Sequence, residues 1–347
     1  MIKIAVDAMG GDFAPRAIVE GAWRAAREDG INVVLVGDRE TVELYLARLG
    51  KTPPPTLEVE HAPEVVGMDE PAITPIRKKR RSSIAIAAEL VRDGKAQAMV
   101  SAGNTGAVMI AAKLVLGTIP GVDRPALAAI LPNAHGRTVL LDVGANVEVK
   151  LSHLREFAVM GHFYAQEMLG TEKPRIGLLS IGEEASKGTE FTRQVFRALE
   201  TTGLNFIGNV EGRDVFEGTA DVVVCDGFVG NVLLKAAESV AGLLAAMLRE
   251  EMEKGIVSRL GGLLARGAFR RLRQRTDYRE YGGAPLLGVA GGCFIAHGRS
   301  GARAIQTAIH RALEFSSLGL HEKIAENVAR LHSEEARILK AGAGGGS

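Results

Sequence analysis

IKIAVDAMGGD, residues Ile2–Asp12, is an apolar run that ends in an aspartate and breaks at once into glycine. The design recurs four times. AMVS (Ala98–Ser101) runs into AGNTG, VLLD (Val139–Asp142) into VGAN, IGLLSI (Ile176–Ile181) into GEEASKG, and VVVCD (Val222–Asp226) into GFVGN. Each short apolar run reads as a strand buried on both faces, as in a parallel sheet, and a helical pattern follows each turn. This alternation predicts an α/β fold, a doubly wound and mostly parallel sheet with helices on both faces. In such sheets the turns gather along one edge, and ligands bind in that crevice. Glycine leaves the backbone bare there, so amides at helix starts can approach a small anion.

Working outward, the spacing predicts a first helix near Pro15, capped by Asp12. Further helices are expected at about 82–93, 104–116, 151–169, 189–202, 228–254, 300–317 and 322–340, and a strand at Thr56–Glu64 after the loop TPPP. From Ser239 to Tyr281 the strand signal stops, and a helical pattern is interrupted by Gly255, Gly261, Gly262 and Gly267. That segment is expected to project as a helical hairpin, inserted at about 239–281, from a single domain of residues 1–340. AGAGGGS (341–347) is expected to be a flexible tail.

Composition excludes several classes. The 347 residues are 46% apolar and 24% charged, as in a soluble globular enzyme, and the net charge of +1 gives no bulk attraction to nucleic acid. Cys225 and Cys293 lack metal-ligand spacing, which argues for a reducing compartment and no metal site. Asp7 and Asp12 interrupt any secretory signal. The longest apolar run, Val240–Leu248, is shorter than the ~20 residues that cross a bilayer. A cytoplasmic protein is expected, resting at most peripherally on a membrane.

The chemistry-bearing turns differ. SIGEEASKGTE (Ser180–Glu190) puts Lys187 among Glu183, Ser186 and Thr189 at a strand end, where the lysine can neutralise phosphate or stabilise an oxyanion. A polar surface loop with Lys187 paired to Glu183 or Glu184 is the plain alternative. The string is not a nucleotide P-loop, because Ser186 stands where that motif needs glycine. In DGFVGNVLLK (Asp226–Lys235), Asn231 is placed in a first helical turn after Gly230, able either to donate to a developing oxyanion or simply to cap. DAMGGD, with Asp7, Gly10 and Gly11, and SAGNTG, with Ser101, Asn104 and Thr105, read as anion cradles; Asn146 belongs to the VGAN turn. No dinucleotide fingerprint follows any strand. His297, in IAHGRS, sits at another strand end as an acid, a base, an anion ligand or a structural histidine. Cys225 could serve as a nucleophile, but three valines precede it and no base is near, so a buried structural thiol fits better.

Two basic segments stand out. Arg77, Lys78, Lys79, Arg80 and Arg81 form a run that is either a solvated surface or a dock for an acidic partner. RLGGLLARGAFRRLRQR (Arg259–Arg275) interleaves six arginines with Leu260, Leu263, Leu264, Phe269 and Leu272. This pattern suits a membrane interface or a helix packed on a partner subunit.

In order, DAMGGD, RSSIAIAAELVRDGKAQAMVSAGNTGA, DRPALA, LDVGAN, FIGNVEGRD, CDGFVGNVLLK and YGGAPLLGV closely resemble the bacterial phosphate acyltransferases of phospholipid synthesis, over about residues 1–316. The resemblance implies a fold like that of phosphotransacetylases and isocitrate dehydrogenases, a homodimer, and no cofactor. It implies transfer of a long fatty acyl group from acyl carrier protein to inorganic phosphate, the acyl phosphate then feeding a membrane glycerol-3-phosphate acyltransferase. It places catalysis on Lys187 and Asn231, and a membrane-touching hairpin on Leu260–Leu272. VEVKLSHL (Val147–Leu154) departs from the family in lacking a cysteine and a proline after GAN, although Lys150 is kept. An acidic carrier protein would suit Arg77–Arg81. The competing classes are a dehydrogenase on a related fold, a phosphotransacetylase using coenzyme A, and a non-catalytic lipid-binding scaffold.

Overall fold

The computed structural model describes residues 2–50, 52–276 and 282–343. The first part contributes β1 (Lys3–Asp7), α1 (Arg16–Glu28), β2 (Asn32–Gly37), α2 (Arg39–Arg48), β3 (Leu57–His61), the short α3 (Thr74–Arg77), α4 (Ser83–Arg92), β4 (Ala98–Ser101) and α5 (Thr105–Ala111). Next come β5 (Ala126–Pro132), β6 (Arg137–Leu141), α6 (Leu151–Leu169), β7 (Ile176–Leu179), α7 (Glu190–Glu200), β8 (Phe206–Val210), α8 (Gly212–Glu217) and β9 (Val222–Val224). The chain closes with α9 (Gly227–Glu253), α10 (Ile256–Thr276), β10 (Ala284–Leu287), β11 (Gly292–Ile295), α11 (Ala302–Ser317) and α12 (Leu320–Ala343).

All five expected apolar runs are strands of one 11-stranded sheet, ordered β3-β2-β1-β4-β11-β10-β5-β6-β9-β7-β8. Side chains alternate across it with the two-residue period of a pleated strand. Ile4 and Val6 of β1, Val139 and Leu141 of β6, and Val222 and Val224 of β9 enter the core beneath α1, α6 and α11. Ala5, Leu140 and Val223 enter the opposite core, with Ile84 and Ala88 of α4. Burial on both faces is why these strands read as unbroken apolar runs.

One expectation about the sheet is corrected. The strands do not all run one way, so the glycine turns do not share one edge. β3, β2, β1, β4 and β11 are mutually parallel, and so are β6, β9, β7 and β8. β10 and β5 splice the two sets through antiparallel pairings, which reverses the second set against the first. The register makes up for the reversal. Ser101 lies opposite Ile295, and Ile295 opposite Ala284. Two residues further along β10, Leu286 meets Leu127, and the next β5 residue, Ala128, meets Leu141 at the end of β6. The carboxyl ends of the two halves therefore converge within a few rungs of each other, from opposite directions.

Several boundaries also shift. Pro15 is the residue before α1, which has no side-chain cap, and Asp12 instead donates its N–H to the Gly298 carbonyl at 2.8 Å. The helix expected at about 228–254 is α9, which begins at Gly227 inside the sheet domain, and α10 follows it to Thr276 as the second arm of the hairpin. The Val240–Leu248 run belongs to this 27-residue helix, which by length and composition could cross a bilayer and whose most apolar stretch is unburied. Residues 277–281 of the expected hairpin and 344–347 of the expected tail lie outside the described residues, while 341–343 continue α12.

α9 can start where it does because of Gly230. A Cβ there would lie 1.9 Å from the Asp142 carbonyl oxygen and 2.9 Å from Cys225 Sγ. No side chain fits that gap, so Gly230, expected to bind substrate, serves the approach of helix to strand. Gly230→Ala should lower stability by about 1–3 kcal/mol or more, as overpacking does. Gly242→Ala, in the same helix with nothing within 4 Å of its Cβ, should leave stability unchanged or raised by up to about 1 kcal/mol. Denaturant titration of both variants checks the contrast.

Candidate functional site

The converging strand ends are built around two buried aspartates. Asp7, ending β1, accepts hydrogen bonds from the Met9 N–H at 3.1 Å and the Ser101 hydroxyl at 2.6 Å. Ser101 Oγ in turn accepts the Gly103 N–H at 3.0 Å. Asp142, just past β6, accepts the N–H groups of Leu127 (3.0 Å), Gly144 (3.2 Å), Ala145 (3.0 Å) and Asn146 (2.6 Å), and the Asn146 side-chain amide at 3.0 Å. Burial pushes both carboxyls above the usual carboxylate range, against the hydrogen bonds that pull the other way.

These contacts revise the expected anion cradles. The turns after β1 and β6 cradle the chain's own carboxylates. Asn146 also gives its amide to the Pro125 carbonyl at 2.8 Å. Asn104 caps α5, accepting the Ala107 N–H at 3.0 Å and donating to the Met68 and Glu70 carbonyls at 2.8 and 2.9 Å. Asp7, Ser101, Asn104 and the side-chain nitrogen of Asn146 are thus engaged within the protein. Gly10 is needed because a Cβ there would lie 2.4 Å from Asp7 Oδ2, and its neighbour Gly11 has a φ of +107°. The start of α9 is likewise occupied: the Gly227 N–H reaches the Asn146 carbonyl at 2.8 Å, Val229 the Asp226 side chain at 2.9 Å, and Gly230 the Asp226 carbonyl at 3.0 Å. Asn231 lies just beyond that first turn, not within it beside open donors.

Between the two half-sheets lies a cavity of about 320 Å³, within the size range of small-molecule sites. Its wall is apolar, formed by Leu127, Ala129, Ile130 and Leu131 of β5 with Val143 and Leu234. Its rim is polar: Thr105 at the start of α5, His297 and Ser300 after β11, and Asn231, Lys235 and Glu238 on α9. The structure so brings together three residues anticipated from sequence, Thr105, Asn231 and His297. His297 is half-buried, and its Nδ1 accepts the Arg299 N–H at 3.1 Å. Asn231 is exposed, and among the described residues its amide has no hydrogen-bond partner.

Lys187 does not line this cavity. It is exposed on the loop after β7, and its N–H bonds the Glu184 carbonyl at 2.9 Å. Glu183 pairs with Arg213 of α8 at 2.8 Å and leaves Lys187 without an ion pair among the described residues. Ser186 is exposed beside it, and Thr189 caps α7 by accepting the Thr192 N–H at 3.1 Å. A Cβ on Gly212, at the start of α8, would lie 3.9 Å from Leu233 of α9. Lys150 precedes α6, its N–H donated to His153 Nδ1 at 3.0 Å. Cys225 is buried and donates to the Asp142 carbonyl at 3.5 Å. Burial first, then the charges of Asp226 and Asp142, hold its thiol well above the usual range, so a thiolate is disfavoured.

In the basic run, Lys79 is tied to Glu70 and to the Val65 carbonyl, while Arg77, Lys78, Arg80 and Arg81 are exposed. α3 packs on α5, which sets the run beside the Thr105 side of the rim. In the hairpin Leu260, Leu263 and Leu264 are exposed, Leu264 by 82%, and Phe269 is half-buried. Leu272 falls on α10, with its side chain outside the described residues. On α9, Val240, Leu243, Leu244, Met247 and Leu248 extend the exposed apolar surface. Among the described residues no three His, Cys, Asp or Glu side chains gather as metal ligands would.

Sequence reading missed Lys235, Glu238, Ser300 and the β5 wall. Lys235 had a signal, since it stands four residues after Asn231 in a predicted helix and so on the same face. The β5 wall had none, because its role depends on the antiparallel splice.

The fatty acid synthesis protein family model matches residues 2–323. The phosphate acyltransferase of Pelotomaculum thermopropionicum is 50% identical over 327 residues, covering 94% of this chain and 95% of that protein. That of Aquifex aeolicus is 47% identical over 338 residues, covering 97% and 100%. Among solved structures, the EutD phosphotransacetylase from Staphylococcus aureus aligns with a TM-score of 0.61 at 15% identity, covering 91% of this chain and 94% of its own. The 4-hydroxythreonine-4-phosphate dehydrogenase from Klebsiella pneumoniae aligns with a TM-score of 0.52 at 15% identity, covering 91% and 100%. These structural likenesses show the fold, that of phosphotransacetylases and related dehydrogenases. With about half of its residues shared over nearly the whole length of the relatives, the chain belongs to the phosphate acyltransferase family of acyltransferases.

Proposed function

We propose that this acyltransferase, one catalytic unit over residues 1–340, moves a long fatty acyl group from the thioester of acyl carrier protein to inorganic phosphate. A single observation carries the reading: the unspent amide of Asn231 stands on the polar rim of an apolar-walled cavity. An apolar wall suits an acyl chain, and an amide donor suits the thioester oxygen.

Phosphate attacks directly. One of its oxygens bonds the thioester carbon, the carbonyl oxygen becomes an oxyanion facing Asn231, and the C–S bond then breaks. The phosphate's proton ends on the departing sulfur, giving acyl phosphate and free carrier-protein thiol. Phosphate is a competent nucleophile and a thiolate a good leaving group, so the protein's task is positioning and charge. Lys187 supplies positive charge from its exposed loop. The buried, protonated thiol of Cys225 argues against a covalent acyl-enzyme. The amides of Met9, Gly144, Ala145 and Asn146 do not serve the phosphate, because Asp7 and Asp142 already occupy them.

The acidic carrier protein docks on Arg77, Lys78, Arg80 and Arg81, next to the rim. The protein works in the cytoplasm as a homodimer, with the apolar face of the α9–α10 hairpin resting on the membrane surface. There it hands acyl phosphate to a membrane glycerol-3-phosphate acyltransferase. Exposed leucines among arginines support that contact.

Three measurements bear on these steps. Asn231→Ala should lower kcat about 10²–10³-fold with unchanged melting, because one oxyanion donor contributes about 2.7–4 kcal/mol; wild-type turnover removes Asn231 from the reaction. Phosphate-dependent thiol release should be fast with palmitoyl carrier protein and slow with acetyl-coenzyme A, and the reverse order makes the enzyme a phosphotransacetylase. Reversing Arg77, Lys78 and Arg80 to glutamate should raise KM for the carrier protein and leave kcat within about twofold, since peripheral charges steer encounter.

A further inference from the structure

In the turns that look made for phosphate, many of the donors are engaged. The amides of Met9, Gly103, Gly144, Ala145 and Asn146 bond Asp7, Ser101 and Asp142. At the start of α9 the amides of Gly227, Val229 and Gly230 are bonded as well. Backbone amides carry no net charge, so a phosphate carrying one to two negative charges needs its counter-charge on a side chain. Lys187 stands outside the cavity lining. Of the residues that do line it, Lys235 is the one lysine or arginine.

We propose that Lys235 binds and positions the phosphate nucleophile. The inference rests on the phosphate acyltransferase reading and goes beyond it by naming the residue. Lys235 follows Asn231 by four residues on α9, so the two side chains rise from one helix face with Cβ atoms about 5–6 Å apart. A phosphate held by the ammonium is then on the same helix face as a thioester oxygen held by the Asn231 amide, which places nucleophile and acyl carbon side by side. The lysine is available: its side chain is 60% exposed, and its ion pair with Glu238 is loose, at 3.5 Å. Glu238, only 18% exposed, is the fixed partner. It keeps the ammonium over the cavity when phosphate is absent and yields when a more highly charged oxyanion arrives. Glu238 is a positioning residue; Lys235 touches substrate.

The test varies phosphate at saturating palmitoyl carrier protein with the full-length protein. Lys235→Ala and Lys235→Met should raise KM for phosphate about tenfold or more, with KM for the carrier protein unchanged. Lys235→Arg should recover part of the loss because it keeps the charge. Binding is read separately: inorganic phosphate alone should raise the melting temperature of the wild type, as any ligand of the folded state does, and should not raise that of Lys235→Ala. An unchanged phosphate KM in the alanine variant overturns the assignment. So does a rise confined to the carrier-protein KM, which would make Lys235 a donor contact. If the wild type itself shows no phosphate-dependent thiol release, the broader functional reading fails; if it does and only the Lys235 results fail, this assignment alone is wrong.

Discussion

The carboxylate of Asp142 is the joint on which the site depends. Its two oxygens gather five donors from β5 and the 144–146 turn, and its own carbonyl lies where a Cβ on Gly230 would stand. A buried carboxylate with those bonds removed would be costly, and with them it is rigid. Because α9 is seated against this turn through Gly227 and Gly230, Asp142 fixes where Asn231 and Lys235 begin. Asp7 plays the matching part in the other half-sheet, tying the β1 turn to β4 through Ser101.

The same chemistry explains an ambiguity in glycine-rich turns. A row of backbone amides at a strand end is an anion-binding device whichever anion occupies it. Here a carboxyl of the chain itself, Asp7 at the end of β1 and Asp142 just past β6, already occupies such amides. The turn gains rigidity and gives up the donors that those bonds engage. An enzyme built this way needs side chains to meet its substrate's charge, and the cavity rim, with Asn231, Lys235 and His297, supplies them.

Much of this could be read from the chain. β1, β4, β6, β7 and β9 were legible because burial on both faces leaves no polar residue to blur the run, and α6 was placed residue for residue. Thr105, Asn231 and His297 were legible as residues at strand ends. What escaped was set by long-range pairing. β10 and β11 are four residues each, and nothing local says that β10 runs against its neighbours and turns half of the sheet around. That reversal decides which turns meet, so the grouping of Thr105 and His297 with Asn231 could not be judged from spacing. The hydrogen bonds that occupy Asn104 and Asn146 come from segments up to 37 residues away in sequence, and an asparagine reads alike whether its amide is spent or open.

α9 joins the reaction chemistry to the surface of the molecule. It is one continuous helix, and at ~1.5 Å per residue its 27 residues span about 40 Å. Asn231 and Lys235 sit near its start, and Val240, Leu243, Leu244 and Met247 lie exposed two to four turns further on. A helix that is apolar and unburied along its outer half carries a free-energy penalty in water that only a covering apolar phase relieves. Whatever covers it grips the far end of the same rod whose near end is locked to Asp142. Docking of the hairpin and alignment of Asn231 with Lys235 are consequently one mechanical problem, and a break in α9 between Lys235 and Val240 would separate them.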